Sequence, residues 1–211
     1  MAPGIRQYVP LQWANDLAQM LSLTTDRMAQ NPGRIHLIGY SMGGYIAALA
    51  ALENPKVASL TLVGYNPIGL SSAEQAQRQV IIKAIEQGKY RITSKQRLKS
   101  FLTTNELPLK NVADTINSMA EDLGANTLKV QFQATTPRKD LTEALAKLSI
   151  PVHFITAAQD KIASETAIKH YAQNHKSMSI ESVGETAHMM LLTRPEQCAK
   201  GISNFIAKHS H

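Results

Sequence analysis

The sequence predicts an α/β fold, a parallel sheet of about four strands whose alternation with helices is interrupted by an all-helical insertion. Three observations carry this. A short apolar run, a small-residue helix and a second apolar run succeed one another over 34–64; the pattern from 67 to about 147 turns polar and helix-favouring; and the alternation resumes at 151. A connection through a helix returns the chain in the same direction, so the strands are parallel.

Each element has its own signal. From Leu11 to Gln30 apolar residues recur at helical spacing, Trp13 and Ala14 preceding Leu17, Met20 and Leu21, and "NPG" at 31–33 stops the helix. "RIHLIG" is a short buried strand (34–38). "YIAALAALEN" is a small-residue helix that must pack closely, ended by Asn54 and Pro55, and "VASLTLVG" is the second strand (58–64). The insertion reads as about four helices without a strand: "AEQAQRQVIIKAIEQG", "SKQRLKSFLTT", "LKNVADTINSMAEDLG" and "ANTLKVQFQATT". "PVHFITA" and "SMSIESV" are strands (152–157 and 178–183) separated by the helix "ASETAIKHYAQNH", and Pro195 suits the first turn of a closing helix. The expected division is a core of 1–66 and 148–211 with a helical cap at 67–147.

At 211 residues and 44% apolar content the chain can bury one real core. The formal charge is +6, but the 22 Lys and Arg are scattered without interleaved aromatics, which argues against a nucleic-acid partner. The single cysteine, Cys198, cannot form an internal disulfide and sits among polar neighbours that read as a helix surface or flank, which fits a reducing compartment. No segment approaches the ~20 apolar residues of a membrane span and the N-terminus has no signal-like core. The expectation is a cytoplasmic protein without a membrane partner.

"IGYSMGG" at 38–44 places Ser41 in the pattern G-x-S-x-G at a strand-to-helix junction, the context that gives this short motif meaning. Glycines two residues away on either side would let the chain turn sharply without a Cβ colliding with backbone, and the turn exposes the hydroxyl at the carboxyl end of the sheet. The N–H of Met42, opening the helix, is the natural donor to an oxyanion. The alternative is a glycine turn with Ser41 as helix N-cap. A serine nucleophile needs a base, and the base an orienting acid, both at the ends of later strands. Asp160 comes after "PVHFITA" and His188 after "SMSIESV", in the chain order Ser, Asp, His.

The remaining candidates fit less well. His36 and His153 lie inside strands, where a packed, hydrogen-bonded ring is expected, and His170, His175, His209 and His211 fall on helices or the tail. Asp16 and Asp26 lie on the first helix, and Asp114, Asp122 and Asp140 in the insertion. Glu185 is the one alternative orienting acid. No cluster has metal-ligand spacing and no glycine loop would cradle a phosphate, so neither metal nor other cofactor is expected.

Together these residues resemble the α/β-hydrolase fold superfamily, in its single-domain members with a helical cap. "IHLIGYSMGG" is similar to that family's elbow, "LSIPVHFITAAQDKI" to its strand and acid loop, and "VGETAHMMLLTRPEQCAKGISNFI" to its histidine loop and last helix. The resemblance implies an α/β-hydrolase core with Ser41 as nucleophile, His188 as base and Asp160 as orienting acid, acting by ester-type hydrolysis. Tyr40, Met42, Met189 and Met190 are expected to line a pocket roofed by the insertion.

The family's first strands, including the one whose loop donates a second oxyanion N–H, have no counterpart, and "APGIRQYVP" resembles the stretch just after its fourth strand. The strand carrying "RIHLIG" is then expected to expose an edge, covered by a second copy of the chain in a homo-oligomer, by a rearranged N-terminus or by strands of a longer protein. The leading expectation is a serine hydrolase of a small ester, thioester or related acyl substrate. A C–C hydrolase or lyase, a ligand-binding relative without turnover, and an incomplete chain of slight or no activity are the alternatives.

Overall fold

A computed structural model describes residues 6–210; the start of "APGIRQYVP" and His211 lie outside the described residues. A single 3₁₀ turn (Leu11–Trp13) leads into α1 (Leu17–Ala29). The helix starts later than apolar spacing suggests because Asp16 caps it, its carboxylate accepting from the Gln19 N–H at 2.8 Å. Trp13, expected on the apolar face, is instead 73% exposed, and Asp16 lies just ahead of the helix rather than on it.

The sheet has four parallel strands in spatial order β1-β2-β3-β4: β1 (Ile35–Tyr40), β2 (Val57–Val63), β3 (Val152–Thr156) and β4 (Met178–Ser182). Every residue of β2 and β3 is buried, as parallel strands covered on both faces require. Between β1 and β2 runs α2 (Met42–Glu53), whose Gly44, Ala47, Ala48, Ala50 and Ala51 let its axis approach the sheet. The main core gathers α1, α2 and the sheet around Met20, Tyr45, Leu60, Leu62 and Phe154.

The insertion holds α3 (Ser72–Glu86), α4 (Lys95–Phe101) and α5 (Lys110–Ala134), and no strand among its described residues. Ser71 and Glu74 form a reciprocal capping box at the start of α3. Two of the expected helices run together as α5, with Gly124 at φ 76° breaking the helical path between them. A short α6 (Thr142–Ala146), not among the expected helices, follows and packs on the core through Leu141 and Leu145. The two ends of the insertion lie side by side, Leu141 N–H donating to Pro67 O at 2.9 Å.

After β3 come α7 (Glu165–Ala172), β4, a short α8 (Met190–Thr193) and α9 (Pro195–Lys208), with Pro195 in its first turn as expected. Cys198 is buried against the sheet side of α9 rather than at its surface, 1% exposed, and burial pushes its thiol up to about 11. None of the described helices is long and apolar enough to cross a membrane. Strand β1 forms one edge of the sheet, residues 6–10 add no strand to it, and Ile38 on it is 49% exposed.

Under α9 the sheet carries a row of polar side chains. His36 Nδ1 bonds Ser59 Oγ at 2.7 Å, and His153 Nδ1 bonds Ser179 Oγ at 2.8 Å, the packed strand roles expected of both rings. The His153 ring stacks on Phe205 of α9 and faces Glu181 at 3.7 Å, with His209 beyond Phe205. Burial holds His153 below its ordinary 6.5, outweighing the attraction of Glu181. The unfolded chain therefore takes up a proton that the folded one refuses, so stability falls as pH drops below about 6.5. The urea midpoint is expected to decline through that window, and His153→Asn, which can keep the bond to Ser179, to flatten the decline.

Candidate active site

Ser41 stands between the last residue of β1 and the first of α2, with φ 51° and ψ −116°. It is the one non-glycine residue with positive φ among the described residues, and such a backbone costs on the order of 1–3 kcal/mol. Its N–H donates to Val63 O at 2.9 Å, which ties the turn to the end of β2. The side chain makes no capping bond to α2, so the N-cap alternative does not describe it. The Met42 N–H belongs to the first turn of α2, where amides have no partner within the helix.

The surrounding glycines have unequal roles. A Cβ on Gly39 would run into Gly43 O and lie 2.6 Å from Gly44 Cα, as expected for the residue before the turn. On the other side the constrained position is Gly44, where a Cβ would lie 2.6 Å from Tyr65 Cβ; at Gly43 it would meet only Leu11 Cδ1 at 3.9 Å. The motif's second glycine is thus not the one that close packing demands.

The structure brings Ser41, His188 and Asp160 together from three strand ends. Ser41 Oγ and His188 Nε2 are 2.9 Å apart, and His188 Nδ1 and Asp160 Oδ2 are 2.8 Å apart. A carboxylate only accepts, so Nδ1 carries the proton and Nε2 is free to accept from the serine hydroxyl. The other carboxylate oxygen of Asp160 accepts from the N–H groups of Ile162 (2.8 Å) and Ala163 (3.0 Å). Both His188 and Asp160 are buried, at 3% and 7% exposure. Backbone bonds from Ala158 N–H to Gly184 O and from Gln159 N–H to Thr186 O hold the acid loop against the histidine loop. Glu185 is exposed and accepts from Gln159 Nε2 at 2.7 Å, so it does not orient the imidazole.

Ser41 opens on a cleft of about 570 Å³ whose walls include Tyr65, Ile68, Leu70, Glu74, Arg138 and Ile162. Tyr40, Met42, Met189 and Met190, expected to line it, do not. Tyr40 lies beneath the histidine loop, donating its hydroxyl to His188 O at 2.8 Å and stacking its ring on the imidazole, and burial pushes its phenol up. Met42 packs towards the main core, Met190 is fully buried between sheet and α9, and Met189 joins the small core of the insertion.

Several site residues escape sequence reasoning. Gly64 holds φ 53°, a backbone conformation that favours glycine, and lies against the His188 ring. From the insertion, Phe101 stacks on His188 and its carbonyl accepts from Met189 N–H at 3.2 Å. Glu106, 4% exposed, accepts from the Thr186 hydroxyl and from Thr103 N–H. Burial pushes its carboxyl up, but the bonds from Thr186 and Thr103 outweigh this and leave it below the ordinary range. The glycine after "TLV" is the sole trace in the sequence; the others depend on contacts across long separations. Among the described residues no three His, Cys, Asp or Glu side chains are grouped to hold a metal.

The glycine geometry makes opposite forecasts for two adjacent-looking substitutions. Gly39→Ala forces backbone apart and is expected to destabilise the fold by about 1–3 kcal/mol or more, whereas Gly43→Ala, inside α2 and unobstructed, is expected to stabilise it by roughly 0.5–1 kcal/mol. Urea unfolding of the two variants beside the parent measures both.

Known proteins are similar to this chain in sequence and in fold. A probable alcohol acetyltransferase of Saccharomyces cerevisiae is 24% identical over 208 residues, covering 89% of this chain and 60% of that protein. A monoacylglycerol lipase of Bos taurus is 22% identical over 190 residues, covering 84% of this chain and 56% of its own length. The chain therefore spans somewhat more than half of these curated relatives. Among solved structures, a thermophilic esterase from Thermogutta terrifontis superposes with a TM-score of 0.82 at 18% identity, over 92% of this chain and 73% of that one. With the family's sequence pattern matched from 15 to 195, through both parts of the sheet and the insertion between them, the chain belongs to the alpha/beta hydrolase fold family.

Proposed function

We propose that the chain is a serine hydrolase of a small ester, thioester or related acyl compound. The observation that carries this reading is the unbroken relay from Ser41 Oγ through His188 to the buried Asp160, opening on a cleft. The strained backbone at Ser41 supports it too, since a protein that only binds a ligand has no use for a hydroxyl held out of a helix cap and against an imidazole. Likeness to an esterase and a monoacylglycerol lipase is in keeping with acyl-ester chemistry.

In the first half of the reaction His188 Nε2 takes the hydroxyl proton as Ser41 Oγ bonds to the substrate carbonyl carbon. Negative charge moves onto the carbonyl oxygen, where the N–H of Met42 and the N-terminal end of α2 stabilise it. Asp160 steadies the imidazolium, which returns its proton to the leaving alcohol or thiol as the C–O or C–S bond breaks. Water then attacks the acyl-serine, giving its proton to His188. The collapsing intermediate releases the free acid, and the proton goes back to Ser41 Oγ.

Met42 supplies one oxyanion donor, and the loss of one donor from a two-donor hole slows such enzymes roughly 10²–10³-fold. Turnover of activated esters is expected to be measurable. A fluorophosphonate probe is expected to label Ser41, and Ser41→Ala to abolish labelling together with p-nitrophenyl ester hydrolysis. Asp160→Asn, which favours the wrong tautomer, is expected to lower kcat by on the order of 10⁴. A folded protein in which Ser41 stays unlabelled overturns the reading.

A further inference from the structure

The cleft holds a guanidinium with a buried nitrogen that has no hydrogen-bond partner among the described residues. Arg138, on the strand of chain that closes the insertion, lines the same cleft as Ser41. Its guanidinium lies over the Tyr45 ring, 5.2 Å from the centroid, and its Nε is buried with no hydrogen-bond partner among the described residues. No carboxylate of the described residues lies within 4 Å of it. The hydroxyl of Tyr65, another wall of the cleft, is likewise buried and unpartnered.

Of the acids nearby, Glu74 attracts both Arg138 and Arg78 from beyond 4 Å, but it and Asp140 spend their hydrogen bonds on other groups. Glu74 Oε2 accepts from Ser71 N–H at 2.8 Å and from Ser71 Oγ at 2.6 Å, completing the cap of α3. Asp140 is exposed, and its Oδ1 accepts from the N–H and hydroxyl of Thr142 at 2.8 and 2.6 Å. A second guanidinium, that of Arg78, stands close enough for the charge of Arg138 to push it down, and it donates to Thr135 O, Thr135 Oγ1 and Thr136 Oγ1, all neutral acceptors. Desolvation pushes both arginines down. A guanidinium removed from water without an anion is unfavourable, and its planar fork matches two oxygens of a carboxylate or phosphate.

We infer that Arg138, with the Tyr65 hydroxyl beside it, is an anion anchor, and that the preferred substrate is an ester carrying a negatively charged group at the end remote from the reacting carbonyl. The exposed apolar side chains of Ile68 and Ile162, which also wall the cleft, would cover the hydrocarbon between the two ends. A volume of about 570 Å³ falls in the range of small-ligand pockets and suits a compact molecule of this kind. Placing the ester at Ser41 rests on the hydrolytic reading above; the anion contact does not.

Two experiments separate those claims. Hydrolysis of mono-p-nitrophenyl glutarate, whose acyl chain ends in a carboxylate, is compared with that of p-nitrophenyl butyrate and of a p-nitrophenyl ester ending in a phosphate monoester. The expected ratio of kcat/KM, charged over neutral, is roughly tenfold or more. In Arg138→Gln that ratio is expected to collapse towards one, and Arg138→Lys to restore it in part, since the ammonium keeps the charge and loses the fork. The carboxylate and phosphate arms tell which anion fits. Independently, monomethyl glutarate is titrated calorimetrically into Ser41→Ala and into Ser41→Ala with Arg138→Gln, each checked for folding by circular dichroism. Binding to the first and at least tenfold weaker binding to the second sustains the anchor even if no ester turns over, in which case the hydrolytic reading falls alone. Equal binding to both, or equal kcat/KM for charged and neutral esters, overturns the anchor.

Discussion

Everything at this site depends on a backbone conformation that the chain would not adopt by itself. Ser41 holds φ 51° without being glycine, and a conformation of that cost persists only where its surroundings leave no alternative. The surroundings are the β1–β2 ladder, which continues into the bond from Ser41 N–H to Val63 O, and the seating of α2 on the sheet. That seating requires Gly39 beneath the helix and Gly44 against Tyr65. Tyr65 and Tyr45 are in turn two of the largest fully buried side chains, and they carry the wall on which Arg138 rests. The turn that presents the serine and the floor of the cleft are therefore products of one packing arrangement. A change that loosens α2 would move both.

The insertion has a second duty besides closing over the cleft. Its small core of Leu102, Val112 and Ile116 takes in Met189 and Leu192 from the histidine segment. Phe101 lies against the imidazole, and the buried Glu106 grips Thr186, two residues before His188. On the opposite side Tyr40 donates to the His188 carbonyl. His188 is thus clamped between the sheet and the insertion. Moving α4 away from the core would break the stacking of Phe101 on the imidazole and so loosen the seat of His188.

A physical divide separates the features legible in the sequence from those that are not. The parallel strands, the helical character of the insertion and the meeting of Ser41, Asp160 and His188 are legible because a parallel sheet sends the ends of its strands to one side, so residues just past β1, β3 and β4 converge whatever lies between. Trp13, Cys198 and Met190 depart from expectation because local polarity and spacing say little about which face of a short segment meets the sheet. Cys198, flanked by Gln197 and Ala199, is buried by the rotation of α9 alone. Arg138 is hidden for a different reason. Twelve Lys and Arg against eight Asp and Glu over 67–147 describe an ordinary solvated surface, and only the hydrogen bonds that Glu74 and Asp140 make to other groups single out one of them.

The position of β1 at the edge of the sheet sets the last constraint. Its outer row of N–H and C=O groups and the exposed Ile38 favour pairing with another strand, since an apolar open edge is an association surface. Ser41 leaves from the end of that same strand, so a strand laid along β1 ends beside the serine, on the side of the turn away from β2. Covering the edge and walling the second side of the turn at Ser41 are then a single event. A second copy of the chain meeting β1 across a two-fold axis would pair antiparallel, placing its own loop near one Ser41 and its partner's loop near the other. Strands of a longer protein entering parallel to β1 would bring the loop at their carboxyl ends beside Ser41. In either arrangement the residues that cover the edge also come to lie beside Ser41.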